Sequence, residues 1–143
     1  MNNGTIASVA VTIHAPIGKV WTALVDPEQI KQYMFGSEVI SDWKEGSAIV
    51  WKGEWKGKPF EDRGTVVTVQ EPKLLRYEHA SGDANGEDHM VTIELKEQGD
   101  TTQVLLIQDN NANDEARLES EKNWNTMLAG MKQLLEGQGV EQR

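Results

Sequence analysis

The side chains of widest chemical reach near neutral pH in this chain are three histidines, His14, His79 and His89. They sit in separate strand-like runs with none of the short spacings that gather metal ligands, so no metal site is expected. His79 and His89 flank a turn at Gly82 to Gly86. Antiparallel pairing of the two runs would set them side by side, on the face that carries Tyr77, as a polar spot in a cavity mouth. The plainer account is a hydrogen-bonded strand pair beside a loop. Asp62 and Arg63 beside Gly64 could do acid-base work if buried. On a hairpin, however, such neighbours usually form a surface pair worth under about 1 kcal/mol. Asp83, Asn85, Glu87 and Asp88 place oxygen ligands in a Gly-containing segment, but the later Glu and flanking helices of a calcium loop are missing, so an acidic hairpin tip is the better account. Ser8, Ser37, Ser41, Ser47, Ser81 and Ser120 occupy no Gly-x-Ser-x-Gly elbow, and no Gly-rich phosphate loop occurs. With no cysteine, disulfides, thiolate catalysis and Cys-ligated zinc or iron-sulfur sites are excluded. No catalytic residue is singled out, and no cofactor is expected.

At 143 residues the chain suits one domain, residues 1–143, with a sizeable core. No window approaches the roughly 18 uninterrupted apolar residues of a membrane helix. Met1 to Gly4 carry no Lys or Arg, and the apolar residues after them alternate with Ser8, Thr12 and His14, unlike a signal peptide. A cytoplasmic location is therefore expected. Seven basic residues face nine acidic ones in residues 1–72 and seven face fourteen in 73–143, so the second half carries −7 of the net −9. That field repels a phosphate backbone, and the one basic cluster, Lys52, Lys56, Lys58 and Arg63, reads as a solvated hairpin. Nucleic acid is not an expected partner.

The elements that must position these residues follow from periodicity. Thr5 to His14 reads as a strand. Ile17, Val20, Trp21 and Leu24 then recur at helical spacing after Pro16, which suits a first helical position. Asp26-Pro27-Glu28-Gln29 repeats a start signal, predicting a second short helix from Pro27 to about Tyr33 that stops near Gly36. From Glu38 to Asn110 the period is two. Ile49, Trp51, Gly53 and Trp55 alternate with Val50, Lys52 and Glu54, Lys56-Gly57 makes a turn, and Arg63 to Gln70 returns. Pro72 separates this hairpin from strands at Leu74 to Ala80, His89 to Lys96 and Gln103 to Asp109, the last apolar on both faces. Asn113 caps a closing helix whose Trp124, Met127, Leu128, Met131, Leu134 and Leu135 form one apolar stripe, with Gly137 as its expected stop. A strand, two short helices, a β-rich middle and one long amphipathic helix point to a fold with a large internal pocket.

These runs also resemble a family. Ala15-Pro16 through Val20-Trp21, Leu24, Asp26-Pro27 and Tyr33-Met34-Phe35-Gly36 are similar to the opening of the START-like SRPBCC superfamily, in its branch related to activators of the heat-shock chaperone ATPase. Asp42-Trp43-Lys44-Glu45-Gly46, Trp51-Lys52-Gly53-Glu54-Trp55, Asp62-Arg63-Gly64-Thr65-Val66, Glu71-Pro72-Lys73-Leu74-Leu75, Asn123-Trp124 and Met127-Leu128 follow in that branch's order. The resemblance spans about Ile6 to Glu136. It implies an α+β helix-grip fold, like that of START domains and the birch-pollen allergen. In it a curved antiparallel sheet wraps around the long C-terminal helix, two short helices follow the first strand, and a cavity lies between sheet and helix. Members of the superfamily bind lipids, hormones, polyketides or other apolar small molecules; a few catalyse cyclisation or dehydration, and one branch docks on a chaperone. Asn123 stands where the branch often has Gly before the Trp of the last helix. Ala80 stands where it often has an aromatic, and that smaller side chain implies a wider or wetter pocket.

The expected function is binding of a small, mostly apolar molecule in that cavity. Its candidate wall is Trp51, Tyr77, His79, His89, Trp124, Met127 and Met131, since pockets are walled mainly by apolar and aromatic side chains with a few polar groups. Trp21, Trp43 and Trp55 are expected to fill core. Two other classes stay open: a chaperone-associated or other protein-interaction module, and a cyclase or dehydratase type of enzyme. The chain is expected to be a monomer or weak homodimer.

Overall fold

The computed structural model describes residues 5–34, 36–55, 57–80, 89–111 and 113–141. The Gly82 to Gly86 turn, the acidic residues Asp83 to Asp88, Met1 to Gly4, Phe35 and Lys56 lie outside the described residues, as do the side chains of Trp55 and Ala80.

The chain runs β1 (Thr5–Ile13), α1 (Ile17–Val25), α2 (Pro27–Tyr33), β2 (Glu38–Ser41), β3 (Ala48–Trp55), β4 (Lys58–Gln70), β5 (Leu74–Ala80), β6 (His89–Gln98), β7 (Thr101–Asn111) and α3 (Asp114–Glu141). All seven strands join one antiparallel sheet in the order β1-β7-β6-β5-β4-β3-β2. With its long C-terminal helix this is the helix-grip architecture that the family resemblance implies.

Local signals place most boundaries. Pro16 is the residue before α1 rather than its first turn, and its carbonyl accepts from Lys19 and Val20 N–H. Asp26 caps α2, its carboxylate accepting from Glu28 N–H at 3.2 Å and from the Gln29 side-chain amide at 3.1 Å. Asn113 Oδ1 accepts from Ala116 N–H at 2.8 Å at the start of α3. Gly137 does not stop that helix, which continues to Glu141. One glycine costs only about 1 kcal/mol inside a helix, less than a helix already running for six turns can absorb. β2 and the first part of β4, from Lys58, are strands that the sequence does not single out. β2 forms because Val39, 2% exposed, packs into the core while its backbone pairs with β3.

The core joins the inward faces of the strands to α1, α2 and α3. Ile13, Val20, Ile49, Val66, Leu75, Val91, Val104 and Leu106 are all buried there. From α3, Met127, Leu128, Met131 and Leu135 are buried, and Trp124 and Leu134 are half-buried. The helix packs chiefly against β1. As β1 is an edge strand, its outer backbone groups have no neighbouring strand, and α3 side chains meet them instead. Glu121 accepts from Ser8 N–H at 3.1 Å, Lys132 donates to the Thr12 carbonyl at 2.7 Å, and Glu136 accepts from His14 N–H at 2.7 Å. Lys132 also donates to Glu136 at 2.7 Å, which joins two of these contacts. No helix among the described residues is long and apolar enough to cross a membrane.

Two predictions follow from the packing of α3. Leu128→Ala should cost about 2 to 5 kcal/mol, the usual range for truncation in a packed core, while Asn125→Ala on the exposed side should be near neutral; thermal or urea melts separate them. The second concerns Glu136. Burial raises its pKa, but hydrogen bonds from Lys132 and His14 outweigh this and bring it down from 4.5 to about 2. The folded chain thus holds a carboxylate that the unfolded chain protonates. Its contribution is complete above about pH 4.5 and is lost as pH falls toward 2. Glu136→Gln should therefore melt below the wild type at pH 7, and the gap should narrow steadily through a pH series from 5 to 3.

Candidate functional site

A cleft of about 390 Å³ opens between the middle of the sheet, α2 and α3. Its back wall is built by strand register. Trp51 on β3 pairs with Asp62 on β4, Gly64 on β4 pairs with His79 on β5, and His79 pairs directly with His89 on β6. Asp62, Gly64, His79 and His89 thus fall on one face, because residues two apart on a strand share a side.

Gly64 lets these rings meet. A Cβ there would lie 2.3 Å from the Glu78 carbonyl oxygen and 3.0 Å from the Trp51 ring. Over that bare position the Trp51 indole reaches His79, ring centres 4.9 Å apart, and Tyr77, at 5.5 Å, both tilted rather than stacked flat. Across the cleft, Gln108 on β7 accepts from the Trp124 indole N–H and so turns that ring's edge into the wall. Met34, Phe60 and Val91 supply further apolar lining.

The polar groups converge at the histidines. His79 Nε2 is 3.4 Å from Asp62 Oδ2, and His89 Nδ1 donates to the Asp109 carbonyl at 2.9 Å. Tyr77 is 7% exposed, and burial pushes its phenol well above the ordinary range, so it stays protonated. Among the described residues no hydrogen-bond partner meets its hydroxyl. Tyr33 is likewise raised by burial, then by Tyr77 and Asp26 nearby, but its hydroxyl donates to the Ala23 carbonyl at 2.7 Å.

Deeper in, a void of about 30 Å³ adjoins the cleft; Tyr77, Trp51, Met34 and Trp124 border both spaces. Trp43 also borders the void. Its backbone is left-handed at φ 55°, and its buried indole N–H has no hydrogen-bond partner among the described residues. Such a donor typically costs about 1 to 3 kcal/mol.

Of the expected wall, Trp51, Tyr77, His79, His89 and Trp124 line the cleft. Met127 faces the inner void instead, and Met131, at 0% exposure, lines neither and belongs to the solid core. Helical spacing marks the whole buried stripe of α3 but does not say which turn meets empty space. The Asp62 and Arg63 pair is also corrected. Adjacent strand residues point to opposite faces, so Arg63 pairs with Glu61 at 2.6 Å while Asp62 turns inward to His79. Gln108 is a site residue that sequence reasoning missed, although a polar residue in a strand apolar on both faces was its signal. Among the described residues no group of three His, Asp or Glu could hold a metal ion.

Residues 14–136 match the family described as activator of Hsp90 ATPase homolog 1-like protein. The chain belongs to this family. Its fold is shared with the solution structure of ChR145 from Cytophaga hutchinsonii, at 51% identity and TM-score 0.83, covering 95% of this chain and 97% of that one. The Aha1 dimer from Colwellia psychrerythraea matches at 18% identity and TM-score 0.77, covering 92% and 96%. CalU16 from Micromonospora echinospora matches at 22% and 0.76, covering 91% and 73%. Those last two show the fold alone. No significant match occurs among curated protein sequences.

In this member of the family the ring cluster depends on Gly64. Gly64→Ala should cost about 1 to 3 kcal/mol, as overpacking does, and should displace Trp51. A lower melting temperature with a shifted tryptophan emission spectrum would report both; an unchanged spectrum would show that Trp51 does not lean on that position.

Proposed function

We propose that this chain is a cytoplasmic binder of a small, mostly apolar molecule, held in the cleft between the sheet and α3. One observation supports this above all. The described residues leave about 390 Å³ unfilled behind a wall of aromatic and aliphatic side chains, with a few polar groups converging on it. That size and lining fall in the range of small-molecule sites, roughly 300 to 1,000 Å³. A protein that served only as a docking surface would have no need of such a space. Exposed large apolar residues, Ile6, Ile40, Val67 and Leu118, fall on four different elements. Association with a chaperone is the reading that the family's description carries, and it rests on that description alone.

A second reading has an observation of its own. Asp62 and His79 are a carboxylate and an imidazole in contact at 3.4 Å inside the cleft, the kind of pair that moves protons in general acid-base catalysis. Chemistry on the bound molecule would then follow binding, as in the cyclase and dehydratase types.

Native mass spectrometry of freshly purified protein should reveal a co-purifying small molecule, identified after extraction. Adding apolar aromatic compounds should raise the melting temperature and quench tryptophan emission. Binding to the folded state alone stabilises by about 2.7 kcal/mol at a hundredfold excess over Kd. An empty protein that gives neither response across aromatic and aliphatic compounds would sink the binding reading.

A further inference from the structure

The hydrogen-bonding sense of the cleft can be worked out from its own partners. His89 Nδ1 contacts the Asp109 carbonyl oxygen, which can only accept, so Nδ1 carries the proton. The neutral ring then has its lone pair on Nε2. Asp109 is itself held, its carboxylate accepting from Met90 N–H at 2.7 Å, which steadies the strand ends around the ring. On the paired strand, His79 Nε2 lies 3.4 Å from the Asp62 carboxylate. Among the described residues neither His89 Nε2 nor His79 Nδ1 has a hydrogen-bond partner. The two rings sit on directly paired residues, and Asp62 adds a negative charge beside them.

His89 thus offers this corner of the cleft a lone pair, and Asp62 a negative charge close by. A carboxylate brought there would meet both in a chain of net charge −9, whereas a hydroxyl can donate to His89 Nε2. The neighbouring wall is aromatic, Trp51 tilted against both His79 and Tyr77, which suits a flat ring.

We propose that the cleft selects aromatic molecules bearing a hydroxyl group, with His89 Nε2 accepting from that hydroxyl and the ring packed beside Trp51. This rests on the ligand-binding reading above and names the class of ligand for the same site. Donation to His89 distinguishes phenol-like molecules from apolar acids of the same size.

The test compares 2-naphthol with 2-methylnaphthalene, in which a methyl group of similar size replaces the hydroxyl, at pH 8, above the ordinary imidazole range. Each is titrated into the wild-type chain and into His89→Phe, following tryptophan emission. The preference for naphthol, expressed as the ratio of the two Kd values, should be about tenfold greater in the wild type than in the variant, the scale of one buried hydrogen bond. Equal ratios in the two proteins would overturn the role of His89 while leaving the binding reading intact. Binding of neither compound would overturn both. Should His89→Phe fail to fold, 2-naphthoate on the wild type alone decides: it should bind at least tenfold more weakly than 2-naphthol, and equal binding would overturn the proposal.

Discussion

An edge strand leaves a row of backbone N–H and C=O groups unpaired, and how this chain meets that demand at β1 organises the rest of the molecule. Three of those groups, on Ser8, Thr12 and His14, are taken up by Glu121, Lys132 and Glu136 of α3. Their spacing along the helix follows the strand for most of its length, so the contacts set both the direction and the register of α3. The apolar stripe supplies the larger share of the energy, because burying Met127, Leu128, Met131 and Leu135 removes far more surface from water than three polar contacts restore. The polar contacts supply specificity. They also close the edge to another strand, a common route to aggregation.

Holding α3 against β1 has a consequence elsewhere in the sheet. One helix cannot cover seven strands, and α3 packs mainly on β1 with lesser contact to β7 and α2. Toward β3, β4 and β5 the sheet's inner face is left without a helix pressed on it. The cleft lies there, with Trp124 reaching in from α3 and Met34 from the end of α2. Side chains on this part of the sheet must be large to fill space, and several are aromatic. Gly64 is the counterweight, since a strand of uniformly large residues would keep Trp51, Tyr77 and His79 apart.

Family membership accounts for the frame and says little about what the frame holds. The same helix-grip architecture occurs in CalU16 and in the Aha1 dimer at about one fifth identity. In this chain the space between sheet and helix is lined by the Trp51 indole, the Asp62 carboxylate, two imidazoles and a phenol kept neutral by burial.

The sequence by itself determined the elements and most of their faces. Pro27 after Asp26, Asn113 before an acidic turn, the stripe from Trp124 to Leu135 and the alternation from His89 to Leu95 are local patterns, and local backbone physics is enough to read them. It also placed His79 beside His89, because a hairpin's register follows from its own two strands. Tertiary structure decided where the empty space lies. Trp124 lines the cleft, Met127 a smaller void and Met131 solid core, yet all three fall on one helical face; which turn meets a gap depends on the distance to a sheet assembled from residues far away in sequence. It also turned Asp62 from Arg63 toward His79 and recruited Gln108 through Trp124. Those pairings join residues on different strands and a distant helix, and no local pattern along the chain records them.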